Sequence, residues 1–125
     1  MNDELFKGLL QDCMEATSRC SRACLGEEES HFLIRCAKLN QTSVIISKLA
    51  MKAITARSEL LSQVCRLCIE IFTTCAEECE KFTHLEYCTQ SAAVCRKSIA
   101  ECRLYLATLS DEYSTTKTNE HHELY

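Results

Sequence analysis

The chain has 125 residues, 46% hydrophobic and 26% charged, with a net charge of −4, which fits one domain with enough apolar content for a core. It has no Pro and only two glycines, Gly8 and Gly26, which argues against a strand-and-turn protein, because tight turns lean on both residues. The mild acidity argues against nucleic acid as a partner, which calls for a basic stripe, and no run approaches the ~20 apolar residues that cross a membrane.

Sparse turn signals divide the chain into four helical runs. The first covers 3–25 and ends at Gly26, a residue suited to a left-handed cap. The acids Glu27, Glu28 and Glu29 with Ser30 open the second run, 30–55, where they complement the helix dipole. A break at Arg57 and Ser58 makes Ser58 the expected N-cap of the third run, 58–81. Thr83 and Glu86 form a T-x-x-E capping box for the fourth, 84–110. Long helices joined by short connections predict an all-α, antiparallel up-down-up-down four-helix bundle. Residues 1–110 form this single bundle, and 111–125 are expected to be a polar, flexible C-terminal tail.

Cysteine is the compositional outlier, with eleven residues in the chain. Cys13, Cys20 and Cys24 fall on the first run and Cys36 on the second. Cys65, Cys68, Cys75 and Cys79 fall on the third, and Cys88, Cys95 and Cys102 on the fourth. Within a run every step is three, four or seven, the spacing of one helix face. The same stripes hold Phe6, Leu10, Thr17, Leu61, Phe72, Ala76, Ala92 and Ile99, while Arg19, Arg22, Arg66, Glu70, Arg96 and Lys97 fall opposite. The spacing therefore predicts a thiol-lined core with a charged exterior.

Three uses of such a core can be weighed. Cysteine packs as a small hydrophobe, but Ala, Val and Leu do so without the liability to oxidation, so eleven together ask for another reason. Disulfides within a helix fail on distance, since Cβ atoms four residues apart are about 5–6 Å from each other, against about 3.5–4.5 Å in a disulfide. The start of the chain, Met1 to Leu10, is acidic and amphipathic and does not read as a secretion signal, so a cytoplasmic location with reduced thiols is expected. Metal binding explains the pattern better. Cys20/Cys24 and Cys75/Cys79 each place two sulfurs one helical turn apart, and soft thiolates select Cu(I), zinc or iron–sulfur clusters. Zinc asks for a closed tetrahedral set of four ligands. Cu(I) accepts two or three sulfurs, so successive levels of a dry thiol tube hold several ions per chain.

Catalysis has little support: no single cysteine is set apart by a neighbouring base, and there is no Gly-rich phosphate loop. The bundle topology puts His31 and His84, each near a helix start, at the same mouth as Cys24 and Cys79, where imidazoles would help load or release ions. The bland reading of both is an exposed histidine near a helix terminus. Met51 on the second run reads as core.

Inward Cys-x-x-x-Cys pairs at Cys20/Cys24 and Cys75/Cys79, the seven-residue series Cys88, Cys95, Cys102, and histidines at one mouth make the chain similar to the cysteine-rich copper storage proteins. The resemblance covers about residues 3–110. It implies a non-enzymatic protein that stores or buffers Cu(I) on core thiolates and associates as a homo-tetramer. The chain departs from that pattern in its second run, where Cys36 is the only cysteine and the stripe continues as Asn40, Ser43 and Ser47, and in its fourth, with Ser91 and Ser98. Part of the tube is therefore expected to be lined by hydroxyls, with a lower capacity. Two alternatives stay open: a bundle sequestering zinc or cadmium, and a structural or interaction bundle whose cysteines are packing.

Overall fold

A computed structural model describes residues 3–28 and 30–124, with side chains described through residue 109. It contains helices α1 (Asp3–Leu25), α2 (Ile34–Ala56), α3 (Leu61–Cys79) and α4 (Glu86–Leu124), with a single 3₁₀ turn (Ser30–Phe32) leading into α2. Each helix packs against its two sequence neighbours around the ring, α1 closing against α4, so the chain forms the antiparallel four-helix bundle that its periodicity predicts. Among the described residues, no helix is long and apolar enough to cross a membrane.

The helix ends depart from the sequence expectations in instructive ways. Gly26 follows α1, but its φ is not positive. Its N–H instead donates to the carbonyls of Arg22 and Ala23 at 3.2 and 3.1 Å, continuing the helical turn. The left-handed cap belongs to Arg57 after α2, at φ 51° and ψ 48°. The acids at 27–28 lie in the connection, and the first turn of α2 contains no acid. Ser58 does not begin α3 directly. Its hydroxyl accepts from the Leu60 N–H at 3.1 Å, and the helix starts at Leu61. The turn between α3 and α4 is tied by backbone bonds from Phe82 to Cys79 and from Leu85 to Phe82, which delay α4 to Glu86. At its other end α4 runs on to Leu124 where the sequence reading ends it at 110. No Pro or Gly interrupts it after Glu86, so nothing local stops the helix. The side chains of the expected tail lie outside the described ones.

The bundle has two unlike ends. The start of α1, the end of α2 and the start of α3 meet at one end, where Phe6, Leu10, Ile54, Leu61 and Tyr105 are buried. Phe6 and Tyr105 pack as tilted rings 4.7 Å apart, and the Tyr105 hydroxyl donates to Asp3 Oδ1 at 2.9 Å. This end is sealed by apolar packing. The α1–α2 and α3–α4 connections meet at the opposite end, where the core sulfurs approach the surface.

Candidate metal centre

All eleven cysteines are fully buried, at 0% exposure, and none is in a disulfide. The stripe logic thus places every sequence-predicted thiol inside. Ser43, Ser47, Ser91, Ser98, Thr17 and Asn40 share the core, as the second and fourth stripes foretell, while Arg19, Arg22, Arg66, Glu70, Arg96 and Lys97 are exposed.

The sulfurs meet across helices near the mouth. Cys20 lies 4.0 Å from Cys24 and 3.8 Å from Cys88, and Cys36 lies 3.9 Å from Cys88 and 3.7 Å from Cys79. Cys20, Cys24, Cys36 and Cys88 all have their sulfurs within 4.8 Å of one another. Deeper in the tube Cys75 interacts with Cys79 and Cys95, and Cys95 in turn with Cys13. Cys68, Cys102 and Cys65 continue the series toward the sealed end. The thiols therefore form one continuous column along the bundle axis.

Asn40 joins this column to its hydroxyl face. Its amide nitrogen donates to the Cys36 carbonyl at 2.8 Å and to the sulfurs of Cys79 and Cys36 at 3.3 and 3.5 Å. Its Oδ1 accepts from Ser91 Oγ at 2.6 Å. Ser43, Ser47 and Ser98 donate their hydroxyl protons to the carbonyls of Leu39, Ser43 and Val94, one turn back on their own helices. Ser43 also faces Cys75, and Ser47 and Ser98 face Cys13, contacts that favour the thiolate form of those cysteines.

Hydrogen bonding among the thiols and burial together set the protonation behaviour, and burial acts because a thiolate loses its hydration in this interior. Burial pushes Cys24 and Cys65 up to about 12. Cys75 is also pushed up to about 12, by its hydrogen bond with Cys79 and then by burial. Cys20 is raised through hydrogen bonding with Cys36, Cys79 and Cys88. Cys79 goes the other way: its sulfur accepts from Cys20, Cys36, Cys75 and Cys88, so it is the thiolate the cluster favours. Without metal, the column is a stack of mostly neutral thiols that must release protons to bind a soft ion.

An open cavity of about 530 Å³ sits at the mouth, lined by Glu27, Glu28, Phe32, Leu33, Phe82, His84 and Leu85. His84 thus opens onto it. His31 is exposed at the same end and stacks on Phe32, with ring centroids 4.1 Å apart, outside the cavity wall. The mouth is framed by polar contacts that the sequence reading missed. Tyr87 donates to Glu27 Oε1 at 2.6 Å, tying α4 to the α1–α2 connection. Buried Glu78 pairs with Arg35 and with Lys81, the latter at 2.9 Å, tying α3 to the start of α2. The available signal was Glu78 falling three residues after Cys75 on an inward stripe, a position where a carboxylate needs a cationic partner.

With this geometry in hand, comparison with known proteins gives concordant matches. A family model described as copper storage protein matches residues 3–107. The uncharacterized cysteine-rich protein YhjQ of Bacillus subtilis (strain 168) is 35% identical over 92 residues, covering 74% of this chain and 84% of that protein. The Cu(I)-bound structure of the copper storage protein BsCsp3 superposes with a TM-score of 0.75 at 32% identity, covering 80% of this chain and 93% of the other. The apo form of copper storage protein 3 from Bacillus subtilis gives 0.75 at 31% identity, covering 82% and 96%. A cytosolic copper storage protein from Streptomyces lividans, described with five coppers, shares the fold at a TM-score of 0.71 and 20% identity, covering 83% and 97%.

Proposed function

The chain belongs to the copper storage protein family, and from that premise we propose that it sequesters Cu(I) in the cytoplasm on its core thiolates, several ions per chain, without catalysing a reaction. The observation that carries this reading is the continuous column of eleven buried, unpaired cysteine sulfurs along the bundle axis. The Cu(I)-bound state of a relative with the same fold supports the identity of the ion.

The assigned ligands are Cys13, Cys20, Cys24, Cys36, Cys65, Cys68, Cys75, Cys79, Cys88, Cys95 and Cys102, within a storage unit formed by residues 1–110. Each Cu(I) displaces thiol protons and bonds two or three sulfurs, so a ratio near one thiolate per ion keeps the interior close to neutral, as a low-dielectric core demands. Serine hydroxyls and Asn40 interrupt the thiols along α2 and α4, which lowers capacity relative to an all-thiol tube. Ions load at the mouth, where His84 lines the cavity and exposed His31 stands beside it. An imidazole in this place passes a soft ion from solvent to Cys24 and its neighbours. A reducing cytoplasm suits a protein whose thiols are all unpaired. Association as a homo-tetramer is part of the same proposal, with the exposed Ile45 and Leu49, one turn apart on α2, as an apolar contact surface.

The test is crystallographic. Protein loaded with Cu(I) under anaerobic conditions should show a line of anomalous copper peaks along the axis, each bonded to cysteine sulfurs from more than one helix. Copper confined to surface sites would overturn the proposal.

A further inference from the structure

The spacing of cysteines along each helix announces pairs, but folding adds a set of four. Cys20 and Cys24 from α1, Cys36 from α2 and Cys88 from α4 place their sulfurs within 4.8 Å of one another, with three of the separations at 4.0, 3.8 and 3.9 Å. A tetrahedral zinc–thiolate centre has bonds of about 2.3 Å and hence sulfur–sulfur edges of about 3.8 Å. The quartet is thus already arranged as the ligand shell of one four-coordinate ion, needing only small side-chain shifts. We propose that Cys20, Cys24, Cys36 and Cys88 also form a mononuclear tetrathiolate site for one soft divalent cation, Zn(II) or Cd(II), at the mouth of the bundle.

Charge and position agree with this assignment. Binding converts four thiols to thiolates and sends four protons to solvent, leaving a centre of charge −2 inside the protein. Asn40 offsets part of that charge by donating its amide N–H to Cys36 Sγ at 3.5 Å. Outer partners of this type orient and stabilise metal-bound thiolates. Among the described residues, this is the one group of three or more cysteine, histidine or acidic side chains with its ligand atoms gathered so closely. The deeper thiols are strung along the axis and make no second closed shell, so a divalent ion fills the mouth once and does not fill the tube. Seated there, it occupies the sulfurs that an incoming Cu(I) ion meets first. The inference goes beyond copper storage and stands or falls independently of it.

The test uses the reduced full-length apo-protein titrated anaerobically with Cd(II), following the thiolate-to-cadmium charge-transfer absorbance and then ¹¹³Cd NMR of the complex. The expected result is a break at one equivalent and a single resonance in the region of four-sulfur coordination. Cys24→Ser should shift that resonance toward three-sulfur coordination or abolish tight binding, whereas Tyr105→Phe, at the sealed end, should leave both readouts unchanged. Far-UV circular dichroism checks that Cys24→Ser keeps its helices, and Cys36→Ser supplies the same test if it does not. No tight binding, a break at several equivalents, or indifference to both mouth substitutions would refute the site. Uptake of Cu(I) without tight binding of Cd(II) removes this inference and leaves the proposed function standing, and the converse result does the opposite.

Discussion

Asn40 offers the sharpest test of how the polar layer supports the thiol column. Replacing it with Ala removes the amide bond to the Cys36 carbonyl at 2.8 Å and the acceptor for Ser91 Oγ at 2.6 Å, both in a fully buried setting. At about 1 kcal/mol net for each bond, and about 1 kcal/mol more for the small cavity left behind, the substitution should cost about 3 kcal/mol. For a domain of this size that lowers Tm by about 10 °C. Ser91→Ala alone strands the Asn40 carbonyl oxygen and should cost about 1–2 kcal/mol, since an unsatisfied buried acceptor forfeits its hydration. The double variant leaves neither partner stranded, so its cost should fall below the sum of the singles by about 1 kcal/mol. Urea unfolding of the reduced apo-proteins, followed by far-UV circular dichroism, measures all three. A cost below about 0.5 kcal/mol for Asn40→Ala, or strict additivity, would show that Asn40 and Ser91 do not support the column as a bonded pair.

The remaining predictions concern protons, copper and the two ends of the bundle. Cys24 and Cys65 are raised above the ordinary thiol range to about 12, so the unfolded chain ionises first as the pH rises. The apo-protein should therefore hold its thiol contribution to stability below about pH 9 and lose it progressively toward pH 12, which melting curves across that range will reveal as a falling Tm. Copper loading should reverse the trend, raising Tm at neutral pH and making the gain acid-labile, because protons compete with the metal for sulfur; a Tm indifferent to Cu(I) would contradict this. His84→Ala should slow Cu(I) uptake in stopped-flow measurements without altering the final number of ions, with a smaller effect for His31→Ala, which lies outside the cavity wall. At the sealed end, Tyr105→Phe removes the bond to Asp3 and should cost about 1 kcal/mol in urea unfolding, leaving copper capacity unchanged.

The bundle and its thiol lining were legible because they rest on periodicity. Steps of three, four and seven put Cys13, Cys20 and Cys24 on one face of α1, and burial follows from the stripe's apolar companions Phe6 and Leu10. Helix ends were less legible, because they depend on competing local hydrogen bonds. Gly26 is as suited to a left-handed cap as any residue, yet α1 closes on bonds to Arg22 and Ala23, and the left-handed turn falls to Arg57 instead. The inward phase of Asn40 could be read from its stripe, but its bonds to Ser91, Cys36 and Cys79 join α2 to α4 and α3, and such partners appear only after packing. The same holds for the mouth quartet, whose members come from three helices. Sequence spacing gives pairs on one helix; closure of a ligand shell is a tertiary property.

Whether the buried sulfurs serve as a multi-ion copper store is measured most directly by stoichiometry. Reduced apo-protein titrated anaerobically with Cu(I) against a competing chelator should withdraw several equivalents of copper per chain before free chelate complex accumulates. A chain that takes one equivalent or none from the chelator would show that the thiol column is packing and not a store.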